Sequence, residues 1–273
     1  MSRRLGTRRP GRGGFGAASG GGGTPPPVIP TPPLPAAVGD WWHAELDCDP
    51  TQWISQILAN VLAGVNAPTV AVDAGFFNDT LVAQATATGD LWSAIALAGV
   101  GISAGDRPYM CGTWRHRTPA TGTQDRMCLS MRGGSSGTEA QIRTGCDSDG
   151  AGNDFFMARR QNGFTGGTAA SGDIQDTNAH FWEIFCDATL GTVVAMDGVM
   201  IANDASANPG LTTFASAVTM VAVGASFSGA FPTVTTINNA NVSMKWFLLA
   251  PSVPTVAERD ALLLYSEVEY GTP

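Results

Sequence analysis

The chain has 273 residues, with 15 Lys and Arg against 23 Asp and Glu, which gives a net charge of −8. This balance excludes a nucleic-acid-binding protein that presents a basic surface over its whole length. Charged residues make up 14% of the chain and hydrophobic residues 44%, which excludes a coiled coil and a charge-rich disordered protein. The 34 glycines and 17 prolines favour a loop-rich, mainly β protein.

Residues 1–39 differ in composition from the rest of the chain. They hold five arginines and no acidic residue, so this segment carries +5, and subtracting it from the total of −8 leaves −13 for residues 40–273. A glycine-rich tip followed by a proline-rich stretch, 25–35, predicts an extended arm without a core of its own. We expect the arm to anchor the protein to a partner; contact with nucleic-acid phosphates, or simple solubilisation of a tether, are the alternatives. The arginines are Arg3, Arg4, Arg8, Arg9 and Arg12.

No export signal or membrane segment is predicted. Arg3 and Arg4 are followed by glycines where an export signal needs an apolar core, and no run approaches about 18–20 apolar residues. The odd number and wide spacing of the cysteines, with no CxxC pair, indicate thiols in a reducing cytoplasm. A pairing of Cys111 with Cys128 on neighbouring strands is left open. The cysteines are Cys48, Cys111, Cys128, Cys146 and Cys186.

A helix is predicted for residues 49–64. Asp49 suits the N-cap, Pro50 suits the first turn, and Gly64 suits the end. Apolar residues within it recur about every four positions, which places them on one side of a helix.

Short apolar runs broken by Gly, Asn and Asp follow Pro68. Their spacing of about 8 to 12 residues is typical of a β-sandwich or barrel. The absence of βαβ alternation disfavours a parallel sheet. The predicted strands are 69–73, 92–97, 108–117, 126–132, 140–144, 155–161, 180–188, 192–196, 199–202, 217–224 and 242–250.

The strongest local signals lie near the C terminus. Asp197 and Gly198 predict a two-residue hairpin turn, because both can adopt positive φ. Thr255 and Glu258 form a capping-box pattern that predicts a helix ending at Gly271.

The order of elements over residues 108–271 resembles the concanavalin A-like, laminin-G-like jelly roll. The resemblance rests on the strand that starts His180-Phe-Trp, the hairpin 192–201, the strand before Phe227, the strand Lys245-Trp-Phe-Leu-Leu-Ala, and the closing helix 255–270. It implies an antiparallel β-sandwich over residues 40–273, with short helices, behind the arm 1–39. The family includes lectins, adhesion modules, glycosidases and virion proteins, so the resemblance implies a fold more firmly than an activity.

Two sequence patterns bear on catalysis. The string Glu45-Leu-Asp-Cys-Asp-Pro falls short of a glycosidase motif, because proline takes the place of its third carboxylate. The histidines stand far apart, and no nucleophile-elbow pattern accompanies them. We therefore expect no catalytic residue and no enzyme activity.

The loop from Asp147 to Asp154 has oxygen ligands at a density that suits calcium. It does not follow the EF-hand pattern, because Ala151 and Ala158 replace ligands. Calcium is the one cofactor that the sequence suggests, with Asp147, Asp149 and Asp154 as candidate ligands. A hairpin loop without metal is the alternative.

The strand 108–117 alternates between two faces. One face carries Tyr109, Arg115 and Arg117, together with Thr113; the other carries Met110, Trp114 and His116. The first is a candidate surface for anionic glycans or an acidic partner, since guanidinium groups bind anions in a fork geometry. A solvated sheet face is the alternative.

Together these features predict a non-enzymatic virion protein of a bacteriophage or phage-like particle, made in the host cytoplasm and facing outward. The arm would attach to capsid, portal or tail, and the jelly roll would bind host surface polysaccharide as part of a fibre, spike or capsid decoration. Several copies would turn weak sites into avidity, and self-association is left open. The alternatives are a glycan-active hydrolase or lyase of the same fold and a purely structural decoration protein.

Overall fold

The computed structural model describes residues 29–86, 90–117, 126–133, 141–148, 154–162, 165–173, 177–204, 214, 216–227, 234–235 and 241–273. These residues form two large antiparallel β-sheets packed face to face, with one α-helix on the outer face of the first sheet. The antiparallel β-sandwich expected from the sequence is confirmed. The five arginines of the arm lie outside the described residues.

Eighteen strands and one α-helix are described. The first sheet has the order β14-β13-β12-β7-β18-β5-β4, and β1 also pairs with β18. The second sheet has the order β11-β10-β9-β8-β15-β6-β3-β2, and β16 pairs with β17. The elements are β1 (Asp40–His43), β2 (Gln52–Ile54), β3 (Val61–Val65), β4 (Thr69–Val72), β5 (Leu81–Ala85), β6 (Leu91–Ala94), β7 (Tyr109–His116), β8 (Arg126–Gly133), β9 (Gln141–Ser148), β10 (Asp154–Asn162), β11 (Thr165–Asp173), β12 (His180–Asp187), β13 (Gly191–Met196), β14 (Val199–Asp204), β15 (Val218–Val223), β16 (Ser226–Phe227), β17 (Val234–Thr235), β18 (Val242–Ala250) and α1 (Val256–Tyr270).

The main core lies between the two sheets. Every residue of the central strands β7 and β18 is buried, and alternate side chains point to opposite faces. Met110 and Trp114 point into the core between the sheets, where Phe247 stacks on Trp42 with ring centroids 4.7 Å apart. Each fully buried large apolar side chain contributes about 1.5–3 kcal/mol.

A second apolar layer lies between the first sheet and α1. Leu262 and Tyr265 of α1 pack there with Trp246 of β18. The predicted capping box is confirmed: Thr255 Oγ1 accepts a hydrogen bond from Glu258 N, and Glu258 Oε2 accepts one from Thr255 N. The helix ends after Tyr270, and no helix within the described residues has the length and apolarity to cross a bilayer.

The helix predicted for residues 49–64 is wrong. The segment forms β2 and β3, which pair with each other through Trp53 opposite Leu62. Both side chains are fully buried, whereas Ile57 and Leu58 between the two strands are exposed. Apolar residues therefore recur about every four positions here because two short strands are joined by an exposed loop, and not because the segment is a helix. Asp49 caps a tight turn, accepting hydrogen bonds from the backbone N–H groups of Thr51 and Gln52.

The eleven predicted strands all overlap observed strands, with bounds that differ by up to four residues. The prediction missed β1, β2, β3, β5, β11, β16 and β17. The hairpin turn between β13 and β14 is confirmed, with φ of 50° at Asp197 and 76° at Gly198.

Among the cysteine side chains described (Cys48, Cys111, Cys128 and Cys186) no disulfide is formed. Cys111 lies in the layer under α1 and Cys128 in the core between the sheets, so the two are not neighbours.

The described end of the predicted arm packs against the sandwich. Pro30 O accepts a hydrogen bond from Tyr265 Oη at 2.9 Å, and Ala36 N donates to Glu258 Oε1 at 2.7 Å. Pro32 and Pro35 are buried. Residues 29–39 therefore run along α1 and belong to the packed part of the chain. Their composition assigns them to the arm, so the packed part includes residues before the predicted boundary at residue 39.

Candidate functional site

A pocket of about 330 Å³ opens beside the C-terminal end of α1, on the outer side of the first sheet. We call it the turn pocket. Three segments form it: the connection between β4 and β5, the residues before β12, and the end of the chain after α1. Its lining residues are Gly75, Phe76, Phe77, Asn78, Asp79, Asn178, Ala179, Tyr270, Gly271 and Pro273.

The backbone at one wall of the pocket is strained. Phe77, Asn78 and Asp79 have φ of 52°, 52° and 56°, so three consecutive residues other than glycine adopt the left-handed conformation. This conformation costs roughly 1–2 kcal/mol per residue. Such strain persists only where surrounding contacts enforce it, and it is concentrated at functional sites.

Specific contacts hold this turn in place. The Phe77 side chain is 1% exposed and packs in the layer under α1. Asn78 Nδ2 donates a hydrogen bond to Glu269 O at 2.9 Å, which ties the turn to the last turn of the helix. Asp79 Oδ1 accepts one from Gly75 N at 2.7 Å. The strained turn is thus a fixed part of the pocket wall.

Arg115 connects two of the segments that form the pocket. Its Nε and Nη2 donate to the two carboxylate oxygens of Asp73 at 2.8 and 3.0 Å, and its Nη1 donates to Thr177 O at 2.8 Å. The guanidinium lies 3.5 Å from the centroid of the Phe76 ring. Burial alone would raise the pKa of Asp73, but the hydrogen bonds and the positive charge of Arg115 outweigh it and lower that pKa. Arg115 therefore fixes the Phe76 ring at the pocket wall.

The accessible groups of the pocket are suited to a polyhydroxylated ligand. Asn78, Asp79 and Asn178 are exposed, and Phe76 is half-buried. Amide groups offer donors and acceptors together, and a carboxylate offers acceptors, which suits hydroxyl groups that do both. An aromatic face suits the C–H surface of a sugar ring.

A chain of hydrogen bonds supports the pocket from below. Tyr270, which lines the pocket, bonds through its hydroxyl to His43 Nε2 at 2.7 Å and to the Tyr265 hydroxyl at 2.6 Å. Burial, aided by the charge of Lys245, lowers the pKa of His43 to about 3. The imidazole is therefore neutral at pH 7 and serves as a fixed partner for Tyr270.

A buried lysine lies beside this chain. Lys245 is fully buried, and its Nζ donates to Thr80 Oγ1 at 2.7 Å and to Leu81 O at 2.8 Å, and pairs with Glu45 Oε2 at 2.9 Å. Burial lowers the pKa of Lys245 to about 8, although Glu45 acts in the opposite direction. These groups are satisfied by one another, so they position the turn after Asp79 and are not accessible to a ligand.

The predicted binding face on β7 is largely inaccessible. The alternation itself is correct, but α1 and its apolar layer cover that face. Tyr109 is fully buried and donates its hydroxyl hydrogen to Glu183 Oε1 at 2.8 Å. Arg115 is only 7% exposed, and Arg117 is half-buried. Tyr109 and Arg115 therefore form no exposed anion-binding surface, and Arg115 instead supports the turn pocket.

The candidate calcium loop is described only in part. β9 and β10 pair with Asp154 opposite Ser148, so residues 149–153 connect a hairpin. Asp149 lies outside the described residues, as do the side chains of Asp147 and Asp154. Within the described part of the chain, no group of three or more His, Cys, Asp or Glu residues is arranged to hold a metal ion. Calcium at this loop stays a prediction.

No protein-family model and no curated protein matches the sequence. Solved structures do share the fold. The binding domain of botulinum neurotoxin DC in complex with SialylT superposes with a TM-score of 0.57 at 8% identity, over 84% of this chain and 51% of that chain. A botulinum neurotoxin type C structure, described as dependent for cell entry on interaction with two ganglioside molecules, gives 0.56 at 7% identity, over 86% and 52%.

A sialidase of Trypanosoma rangeli in complex with sialic acid gives a TM-score of 0.54 at 12% identity, over 88% of this chain and 35% of that chain. The chain thus spans about half of the neurotoxin structures and about a third of the sialidase. At these identities the similarity establishes the β-sandwich fold alone.

Proposed function

We propose that this protein is a non-enzymatic carbohydrate-binding protein that holds a glycan in the turn pocket. The observation that carries the proposal is the Phe76 ring, fixed by Arg115 at the wall of a pocket whose exposed polar groups are Asn78, Asp79 and Asn178. A volume of about 330 Å³ lies at the lower end of the range of roughly 300–1,000 Å³ for small-ligand sites. The sialic acid and ganglioside ligands named for two of the structural neighbours support carbohydrate binding on this fold in general, and not the specificity of this pocket.

The electrostatics of the pocket favour a neutral glycan over a sialylated one. Among the described lining residues there is no Lys, Arg or His, and Asp79 contributes a negative charge. The nearest guanidinium, on Arg115, is buried and already engaged by both oxygens of Asp73. A carboxylate on the ligand would therefore meet repulsion without a compensating cation.

The pocket favours binding over hydrolysis. Most glycoside hydrolases use a pair of carboxyl groups about 5–9.5 Å apart on either side of the bond to be cleaved, and sialidases use a tyrosine nucleophile instead. The tyrosine of this pocket, Tyr270, is bonded through its hydroxyl to His43 and Tyr265, and burial raises its pKa, which disfavours a nucleophilic role. Asp79 is the only side-chain carboxylate among the described residues that line the pocket. This supports a lectin-like role over the glycan-active enzyme of the same fold.

A glycan array probed with the full chain tests this proposal, using each oligosaccharide in neutral and sialylated form. We expect retention on neutral glycans, with loss of signal in Phe76→Leu. Val256→Ala, at the opposite end of α1 and about 20 Å from Tyr270 along the helix, is the matched control and should bind normally. Binding to sialylated forms alone would overturn the neutral specificity, release of cleaved sugar would favour the enzyme, and silence on every glycan would favour a structural decoration protein.

We further propose that this domain lies on the outside of a bacteriophage or phage-like particle. It would be made in the host cytoplasm and anchored by its N-terminal arm. This proposal is supported by the charge contrast between residues 1–39 (+5) and the remaining chain (−13). The partner would be an acidic surface on a capsid, portal or tail protein.

The anchoring role predicts the outcome of a deletion. Because residues 30–36 bond to α1, the deletion should remove residues 1–28 and leave that contact intact. We expect the shortened protein to keep the thermal unfolding midpoint of the full chain and to be absent from purified particles. Incorporation of the shortened protein at the normal level would contradict the anchor.

A further inference from the structure

The start of the described chain leads towards the turn pocket. Ala36 N donates a hydrogen bond to Glu258 Oε1 in the first turn of α1. Pro30 O accepts one from Tyr265 Oη, about two turns further along the helix. Towards lower residue numbers the chain therefore runs along α1 to its C-terminal end. Gly271, which lines the pocket, follows about 9 Å beyond Tyr265, a distance that about three extended residues span.

The end of α1 that borders the pocket is negatively charged. Its last turn carries Glu267 and Glu269 and no basic residue, although the dipole of a helix favours cations at this end. Asp79 adds a carboxylate at the pocket wall. Burial raises the pKa of Tyr265 to about 12, and the charges of Glu269 and Glu45 add to the rise. The point at which the described chain begins therefore lies in this negative potential.

The described residues supply no available cation to the pocket. Asp79 Oδ1 accepts a hydrogen bond from Gly75 N at 2.7 Å, and none of these residues bonds to its Oδ2. The Arg115 guanidinium is held by both oxygens of Asp73, and Lys245 is fully buried. The pocket therefore presents a carboxylate with an open acceptor, which suits a guanidinium from another segment.

An arginine-rich segment of the same chain lies within reach of the pocket. Residues 1–28, which directly precede the described chain, hold five arginines and no acidic residue. Arg12 lies 17 residues before Ile29, and a glycine-rich chain of that length has an r.m.s. end-to-end distance of about 20–25 Å. A segment tethered this closely reaches an effective concentration in the millimolar range. A contact too weak to hold separate molecules together can therefore form within one chain.

We propose that residues 1–28 occupy the turn pocket of their own chain in the free protein, with an arginine bonded to Asp79, and so compete with the glycan. This inference rests on the glycan site proposed above. Charge supports this occupant, because a positive segment meets a negative pocket end. The direction of residues 30–36 supports it too, because they already lead there. An acidic partner surface that takes up the arginines would free the pocket, so anchoring and glycan binding would be coupled.

The expected strength of this competition is modest. At an effective concentration about twice the dissociation constant of the contact, residues 1–28 occupy the pocket about two thirds of the time. The apparent affinity for the glycan then falls about threefold, which corresponds to about 0.6 kcal/mol. A contact of this strength changes the thermal unfolding midpoint by no more than about 2 °C. The shortened protein described above therefore keeps essentially the midpoint of the full chain.

Limited trypsin digestion of the full chain tests the contact without any glycan, because trypsin cleaves after arginines that are not engaged. At about 20 mM salt, we expect cleavage within residues 1–28 to be about threefold slower in the wild type than in the double variant Glu267→Gln/Glu269→Gln. At about 1 M salt, where charges are screened beyond about 3 Å, the difference should disappear. Asp260→Asn is the matched control, since Asp260 is also an exposed carboxylate of α1 but lies away from the pocket; it should be cleaved like the wild type.

Calorimetric titration with the neutral oligosaccharide that binds best on the array tests the competition. We expect a variant with all five arginines changed to glutamine to bind the glycan about threefold more tightly than the wild type at about 20 mM salt. The corresponding lysine variant keeps the charge and should bind like the wild type. Adding Glu267→Gln/Glu269→Gln to the glutamine variant should give no further gain, because the contact is already lost. The glutamine variant carries Arg3→Gln, Arg4→Gln, Arg8→Gln, Arg9→Gln and Arg12→Gln.

The outcomes separate this proposal from the glycan site itself. Equal cleavage rates in the wild type and Glu267→Gln/Glu269→Gln would overturn the contact, whether or not a glycan binds. Slow cleavage in the wild type without a gain in glycan affinity in the glutamine variant would place residues 1–28 outside the pocket and overturn the competition. Slower cleavage at higher protein concentration would assign the contact to a neighbouring copy and overturn the contact within one chain. Silence of the wild type and of the shortened protein on every glycan would refute the glycan site, while slow cleavage would still report the contact.

Discussion

Gly271 ends α1 and lines the turn pocket, so replacing it with alanine tests how closely the helix and the strained turn fit. Its φ is 65°, and a Cβ added there would lie 2.9 Å from Asn78 Oδ1. Alanine at positive φ costs about 1 kcal/mol. The Asn78 side chain would also have to rotate, losing its hydrogen bond to Glu269 O, which is worth about 1 kcal/mol. The expected loss for Gly271→Ala is therefore about 2 kcal/mol.

Urea denaturation measures this loss, and thermal unfolding should show a fall of about 4–8 °C in midpoint. Gly105→Ala is the matched control, because φ there is 90° and no atom lies within 4 Å of an added Cβ. It should lose only the backbone cost of about 1 kcal/mol.

A double-mutant cycle isolates the contact. In an Asn78→Ala background, Gly271→Ala should cost about 1 kcal/mol less than in the wild type, because the clashing oxygen is gone. Equal costs in the two backgrounds would refute the fit of Asn78 against Gly271. In the Gly271→Ala single variant, the rotation of Asn78 should also weaken glycan binding, because Asn78 lines the turn pocket.

Two further predictions concern the buried charges near the pocket. The pKa of Lys245 is lowered to about 8, so between pH 8 and about 10.4 the unfolded chain binds a proton that the folded chain lacks. The free energy of unfolding of the wild type, relative to Lys245→Met, should rise over that range in urea titrations, and a flat or falling difference would contradict the assignment. Arg115→Met should cost about 3 kcal/mol or more, because it leaves the Asp73 carboxylate, only 5% exposed, without its cation. Arg115→Lys keeps the charge but not the two parallel hydrogen bonds, so the free energy of unfolding should fall less than in Arg115→Met. An Arg115→Met variant as stable as the wild type would refute the role of the Arg115–Asp73 pair.

Much of the fold could be predicted because its signals are local. The capping box at Thr255, the hairpin turn at Asp197, and the β-rich runs of β7, β12 and β18 each depend on a few neighbouring residues. β11 was missed because Thr165–Asp173 is built from small and polar residues without apolar alternation. The error at residues 49–64 arose because two short strands and an exposed loop reproduced the spacing of a helix.

The turn pocket could not be predicted, because its residues are distant in sequence. Asn78 and Asn178 lie in two segments that Arg115 connects by its bonds to Asp73 and to Thr177 O. The one local signal was Asn78 beside Asp79, since these residue types tolerate positive φ. The alternation of β7 did place Arg115 on the correct face, but the helix that covers that face comes from the far end of the chain. The burial of Arg115 therefore could not be predicted from the residue pattern of β7 alone.

Calorimetric titration of the neutral oligosaccharide that binds best on the array measures directly whether the turn pocket holds a glycan, with the wild type, Phe76→Leu and Val256→Ala compared side by side. Phe76→Leu keeps an apolar side chain but removes the ring face, which is worth about a tenfold change in affinity. We expect at least that loss for Phe76→Leu and wild-type affinity for Val256→Ala, with all three proteins folded. Equal affinity of the wild type and Phe76→Leu would contradict glycan binding in the turn pocket.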